Sequence, residues 1–126
     1  MRRPAPRAVP ILLGLTLVLT PVTGWPHASL LRSTPARRAV LVRAPDRVQL
    51  WFNERVEPQF SWVSVWDARG EQVDLGDLRV AADEPRMLSV AVPASLPPGP
   101  YVVKFRVLSV DGHVVEGQFP FTVQGR

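Results

Sequence analysis

The residues able to bind or transform a ligand are few. The 126-residue chain has two histidines, His27 and His113, and no cysteine. Without cysteine there is neither a thiolate metal site nor a thiol nucleophile. No serine stands in a Gly-x-Ser-x-Gly elbow and no glycine-rich phosphate loop occurs. The carboxylate pair Asp83-Glu84 falls in a turn-like stretch, where solvated charge is the simpler reading. Hydrolase or transferase chemistry has little to build on, and the expectation is a protein that is not an enzyme. A transition metal would have to be held by nitrogen, oxygen or a methionine sulfur. One constellation suits such an ion, Val110-Asp111-Gly112-His113. Asp111 and His113 are two positions apart, so in extended backbone their side chains project to the same side. Gly112 adds no side chain between them and accepts turn conformations. A carboxylate beside an imidazole fits a borderline divalent ion, and nitrogen and oxygen donors in a planar arrangement favour Cu(II). The same Asp-Gly dipeptide also reads as a hairpin turn.

His27 supplies a second element, because of what precedes it. Residues 1–7 carry three arginines and no acid, and residues 8–20 are almost wholly apolar. A basic start followed by about a dozen apolar residues has the layout of a secretory signal. It is shorter than the roughly twenty residues of a spanning helix. The expected organisation is a signal segment over 1–26, cleaved near 24–26, and an exported domain over 27–126 that meets the membrane only through its signal. His27 then falls at the mature start, where an α-amine and an imidazole form a chelating pair. Cleavage before His27 would have to follow Pro26, whereas a cut after Gly24 follows Val22-Thr23-Gly24, a better match to the small-residue rule. That cut leaves Trp25-Pro26 ahead of His27 and removes the adjacent amine, and a cut after Ala28 removes His27 itself.

Charge narrows the partners. The formal net charge is +4, but from His27 onward twelve basic residues face eleven acidic ones. No basic stripe of the kind nucleic-acid binding requires is left.

These donors must be positioned by strands. Val48, Leu50 and Phe52 alternate with Gln49, Trp51 and Asn53. Val63 and Val65 form the inward pair of 62–66, and residues 88–92 alternate likewise. Tyr101, Val103, Phe105 and Val107 share a face, and Phe119, Phe121 and Val123 close the series. Period-two alternation marks strands with one face in a core and one in water. Fourteen prolines, nearly all outside these runs, and turn signals at Ala44-Pro45-Asp46, Arg69-Gly70, Glu84-Pro85, Pro97-Pro98-Gly99-Pro100 and Asp111-Gly112 predict an antiparallel sandwich or barrel without useful helix. Pro120 lies inside the last run, which predicts an edge or a bulge at that point.

At this level the chain resembles the CopC/PcoC copper-resistance domain family. The resemblance runs from His27 to Val123. It is carried by His27-Ala28-Ser29-Leu30, by Val48-Gln49-Leu50-Trp51-Phe52-Asn53-Glu54 and by Leu96-Pro97-Pro98-Gly99-Pro100-Tyr101. It is densest in Phe105-Arg106-Val107-Leu108-Ser109-Val110-Asp111-Gly112-His113 and Gly117-Gln118-Phe119-Pro120-Phe121-Thr122-Val123. It implies an all-β, seven-stranded antiparallel Greek-key sandwich, Ig-like or cupredoxin-like. It further implies a periplasmic Cu(II) carrier or buffer in copper resistance or homeostasis. The implied ligands are the amine and imidazole of His27, with Asp111 and His113. Glu54 is implied as a weak or outer ligand. The implied partners are copper itself and an inner-membrane copper transporter of the CopD type or another envelope copper protein. Some members hold Cu(I) at a methionine-rich loop; the expected mature chain has Met87 alone, which predicts no such site.

A different class of function is also open. Trp51, Trp62 and Trp66 would, if gathered in one exposed patch, mark an Ig-like non-metal interaction module of the cell envelope.

Overall fold

A computed structural model describes residues 2–10, which are irregular and exposed, and residues 29–125. Eight strands follow in order: β1 (Leu30–Thr34), β2 (Val40–Leu41), β3 (Arg47–Phe52), β4 (Trp62–Asp67), β5 (Arg79–Ala81), β6 (Glu84–Ala91), β7 (Gly99–Leu108) and β8 (Val114–Val123). They form two four-stranded sheets, ordered β1-β3-β6-β5 and β2-β8-β7-β4. The chain crosses repeatedly between sheets, giving the expected Greek-key sandwich. The count is eight rather than seven because β2 adds a two-residue parallel pairing to β8, Val40 with Thr122 and Leu41 with Val123. Two residues are too few to show a period. The described residues contain no α-helix, only a three-residue 3-10 turn, Pro58–Phe60.

The alternating positions meet between the sheets. Val48, Leu50 and Phe52, Val63 and Val65, Leu88 and Val90, Tyr101 to Val107 in steps of two, and Phe119, Phe121 and Val123 are all buried. Each such side chain contributes about 1.5–3 kcal/mol relative to exposure, so this core needs no cross-links. The Phe52 and Phe105 rings meet edge to face at 6.0 Å, and Tyr101 stacks on Phe121 at 5.4 Å. The Tyr101 hydroxyl donates to the Pro97 carbonyl at 2.5 Å, which ties the 93–98 connection to β7.

Three local expectations are refined. Pro120 pairs with Val102 inside the sheet, and its carbonyl accepts from Arg38 N–H at 2.7 Å on the side away from β7. A residue's N–H and C=O point to the same side of a strand, so the missing donor falls on the outer side, where β2 has not yet begun. The edge is local. Glu84-Pro85 is not a turn: the turn is at Ala82-Asp83, and both residues open β6. Ser64 lies on the outward face of β4 yet is buried, because the Trp66 indole covers it and donates to its hydroxyl at 2.8 Å.

The tryptophans do not form one patch. Trp51 is outward on the β1-β3-β6-β5 sheet, where Arg32 stacks on it at 4.0 Å and its indole N–H donates to Glu84 at 2.9 Å. Trp62 and Trp66 are outward on the other sheet, with the Lys104 ammonium 5.0 Å from the Trp66 ring. The three tryptophans therefore do not share one patch, and only Trp62 and Trp66 lie together on one outer face.

Candidate metal centre

β7 and β8 are paired over ten positions, from Gly99–Val123 to Leu108–Val114. Their connection, residues 109–113, carries the Asp-Gly-His sequence at the tip of the longest hairpin of the fold. Ser109 N–H donates to His113 O at 2.9 Å, and Gly112 N–H to Ser109 O at 3.0 Å. Gly112 has φ +88°, a left-handed value that glycine adopts without steric cost. The dipeptide closes a hairpin, as the sequence allowed, and it sets the Asp111 and His113 side chains next to each other.

The base of this turn is held from the side. Segment 55–57 runs antiparallel to 108–110, with Val110 N–H on Arg55 O at 2.9 Å and Glu57 N–H on Leu108 O at 2.8 Å. Val56 bridges Ser109. Asn53, just past the end of β3, binds Ser29 twice. Ser29 N–H donates to the Asn53 side chain at 2.7 Å, and Asn53 N–H to Ser29 O at 3.1 Å. The start of the described domain, the end of β3 and the β7–β8 turn thus converge at one end of the sandwich.

The donor groups are side by side. Nδ1 of His113 lies 3.2 Å from Oδ1 of Asp111, with the side chains 51% and 32% exposed, so an ion could reach both from solvent. The same Asp111 oxygen accepts from the Ser109 hydroxyl and, at 3.4 Å, from the His113 backbone N–H. The Ser109 hydroxyl above all holds the Asp111 carboxyl below the ordinary range, against partial desolvation, and His113 adds to the effect. Asp111 is therefore a carboxylate, a metal-ready donor, at neutral pH.

The remaining expected site residues stand differently. Glu54 is half-buried between Asn53 and Arg55, beside the segment that braces the turn. Among the described residues no three histidine, aspartate or glutamate side chains gather as a metal-holding group. His27 lies outside the described residues, as does most of the expected signal segment. No described helix is long and apolar enough to cross a membrane. Met87, packed on β6 opposite Trp51, is 9% exposed. Sequence reasoning passed over two residues, Ser109 and Asn53. Asn53 binds the Ser29 backbone and Ser109 binds both backbone and the Asp111 side chain, and in a strand sequence nothing separates such a residue from an ordinary polar position.

The fold and turn together define an all-β sandwich with a nitrogen–oxygen donor pair on an exposed hairpin. The chain belongs to the CopC domain family, whose model matches residues 30–124. It is 41% identical to CopC from Methylosinus trichosporium OB3b, whose crystal structure superposes with a TM-score of 0.74 over 79% of this chain and 96% of that one. It is 27% identical to PcoC, a methionine-rich copper resistance protein of Escherichia coli, with a TM-score of 0.66 over 78% of this chain and 99% of that one. In sequence it is 34% identical to the copper transport protein CutJ of Bacillus subtilis, over 90% of this chain but only 21% of that protein's length. It is equally similar, at 34%, to protein YobA of Escherichia coli, spanning 87% of this chain and 89% of YobA. CutJ and PcoC are named for copper transport and copper resistance, which supports a copper-related function for the family.

Proposed function

We propose that this chain is an exported Cu(II)-binding protein that carries or buffers copper in the periplasm, without turnover. The observation that carries the reading is the 3.2 Å pairing of Asp111 and His113 on an open, braced hairpin. Imidazole and carboxylate donors bond a divalent ion of this kind at about 2 Å, so adjacent donors at a right angle lie about 2.8 Å apart. The pair is within a few tenths of an ångström of that spacing, and small side-chain rotations close the difference. His27 completes the donor set in this reading. Ser29 is anchored beside Asn53 at the same end, and two residues of chain reach about 7 Å. A signal over 1–26 cleaved at Pro26 would supply the α-amine as well. Glu54 acts at most as a weak or outer ligand. Copper passes onward to an envelope partner, such as an inner-membrane transporter of the CopD type.

The test is a Cu(II) titration of the secreted protein against a competing chelator, with electron paramagnetic resonance to report nitrogen ligation and intact mass to fix the N-terminus. One Cu(II) per chain with nitrogen couplings is expected, lost or weakened in His113→Ala. Affinity should fall on acidification, because a ligating imidazole must be neutral. Unchanged binding in His113→Ala would sink the proposed site.

A further inference from the structure

We infer that Ser109 is a positioning residue for the metal: its hydroxyl, not the backbone turn alone, sets the geometry between the Asp111 carboxylate and the His113 imidazole. The inference deepens the copper reading and rests on it. Ser109 ends the β7 side of the hairpin and is 2% exposed, in contrast to the two donors beyond it. Its Oγ donates to Asp111 Oδ1 and accepts from His113 N–H at 3.2 Å. One buried hydroxyl therefore touches both ligand residues. Its own position is fixed by backbone on two sides, through the Ser109 N–H bond to His113 O and the bridge to Val56.

The physical consequence concerns freedom. An aspartate on an exposed turn samples several side-chain rotamers, and only some face the imidazole. The Ser109 hydroxyl removes that choice before an ion arrives, so less ordering is required on binding. Removing an outer partner of a metal ligand commonly weakens affinity by about 10- to 100-fold. The expected loss here lies in that range. The backbone turn would survive without it, since the Gly112 N–H and Ser109 N–H bonds do not involve the side chain. A residue with only a structural role would lower stability and leave the bound copper unchanged.

The experiment compares Ser109→Ala, Ser109→Thr and His113→Ala in the secreted protein, with Cu(II) alone as the probe. Circular dichroism first establishes folding, and chelator competition and the paramagnetic resonance spectrum then report affinity and ligand field. Ser109→Ala is expected to bind Cu(II) about 10- to 100-fold more weakly, with a shifted copper hyperfine coupling. Ser109→Thr, which keeps the hydroxyl, restores both. Parent-like affinity and spectrum in a folded Ser109→Ala, while His113→Ala loses copper, would overturn the positioning role and leave the copper reading intact. Copper retained in His113→Ala overturns the copper reading and this role together. If Ser109→Ala does not fold, Ser109→Thr decides: a parent-like spectrum supports the role, and loss of copper despite the retained hydroxyl overturns it.

Discussion

Gly117 tests the packing of the hairpin that carries the Asp111-Gly112-His113 turn. It lies in β8 opposite Phe105 and is itself exposed, at the rim of the buried Phe105 ring. A methyl group built there would meet Phe105 Cζ at 2.8 Å and Cε1 at 3.2 Å. Carbon atoms are comfortable at about 3.5 Å or more, so the ring would have to withdraw by about 0.7 Å. Phe105 has little room: it is 4% exposed and held edge-on by Phe52 at 6.0 Å. Overfilling a packed core costs about 1–3 kcal/mol. An opposing term exists, because Gly117 does not have a positive φ and alanine would stiffen the unfolded chain, a gain of about 0.4–1 kcal/mol. The steric term is larger, and Gly117→Ala should be net destabilising by about 1–2 kcal/mol. For a domain of this size that lowers Tm by roughly 4–16 °C. Thermal melts and urea unfolding monitored by circular dichroism measure it. Phe105→Leu shortens the obstructing ring, so the double variant should be more stable than the sum of the single losses by about 1 kcal/mol. A Gly117→Ala protein as stable as its parent, or strict additivity with Phe105→Leu, would refute the reasoning.

Two further outcomes follow from buried or paired groups. Tyr101 is the sole tyrosine, and burial, with a smaller push from Asp67, raises its phenol above the ordinary value of 10.0. Its ultraviolet titration should therefore run late in the folded protein. The neutral phenol is favoured in the folded state, so this contribution is lost as pH rises past the unfolded value. Tyr101→Phe should cost about 1–2 kcal/mol in urea unfolding, by leaving the Pro97 carbonyl without its donor; an unchanged midpoint would contradict this. Asp77 is held far below the carboxylate range by hydrogen bonds from Arg47 and Ala91 N–H, with Arg79 adding to them. Its folded pKa is depressed, so its contribution is present above the unfolded value of 3.8 and is lost as pH falls below it toward the folded value. Asp77→Asn should flatten the acid limb of a stability-versus-pH curve, and an unchanged slope below pH 3.8 would oppose it.

Strand faces were legible because hydrophobic burial enforces a period of two, and Val48, Leu50, Phe52 and the β7 and β8 series show it cleanly. β1 was not, since its residues pair with β3 through an irregular register between Leu30 and Arg32 and bury only partly. β2 is held by two backbone pairings that need no particular side chain. Proline misled at Pro85, where an edge-like strand start accommodates the ring, while at Pro120 the edge argument held locally. For the candidate site, the proximity of Asp111 and His113 was readable because both lie within one turn and local spacing brings them together. Ser109 needed the three-dimensional structure: its contacts depend on burial and on one hydroxyl reaching two neighbours, and neither leaves a periodic trace.

The ten-pair ladder between β7 and β8 has a consequence for how a metal would be handled in the proposed function. The hairpin is knitted through the core by Val103, Phe105, Phe119 and Phe121, and neither Asp111 nor His113 belongs to that core. The core stands without Asp111 or His113, so in the proposed function metal capture would be separate from folding, unlike in small domains that metal must hold together. An ion held there would arrive at the tip and leave it while the sandwich behind stays whole, so its exchange would depend on ligand geometry rather than on unfolding.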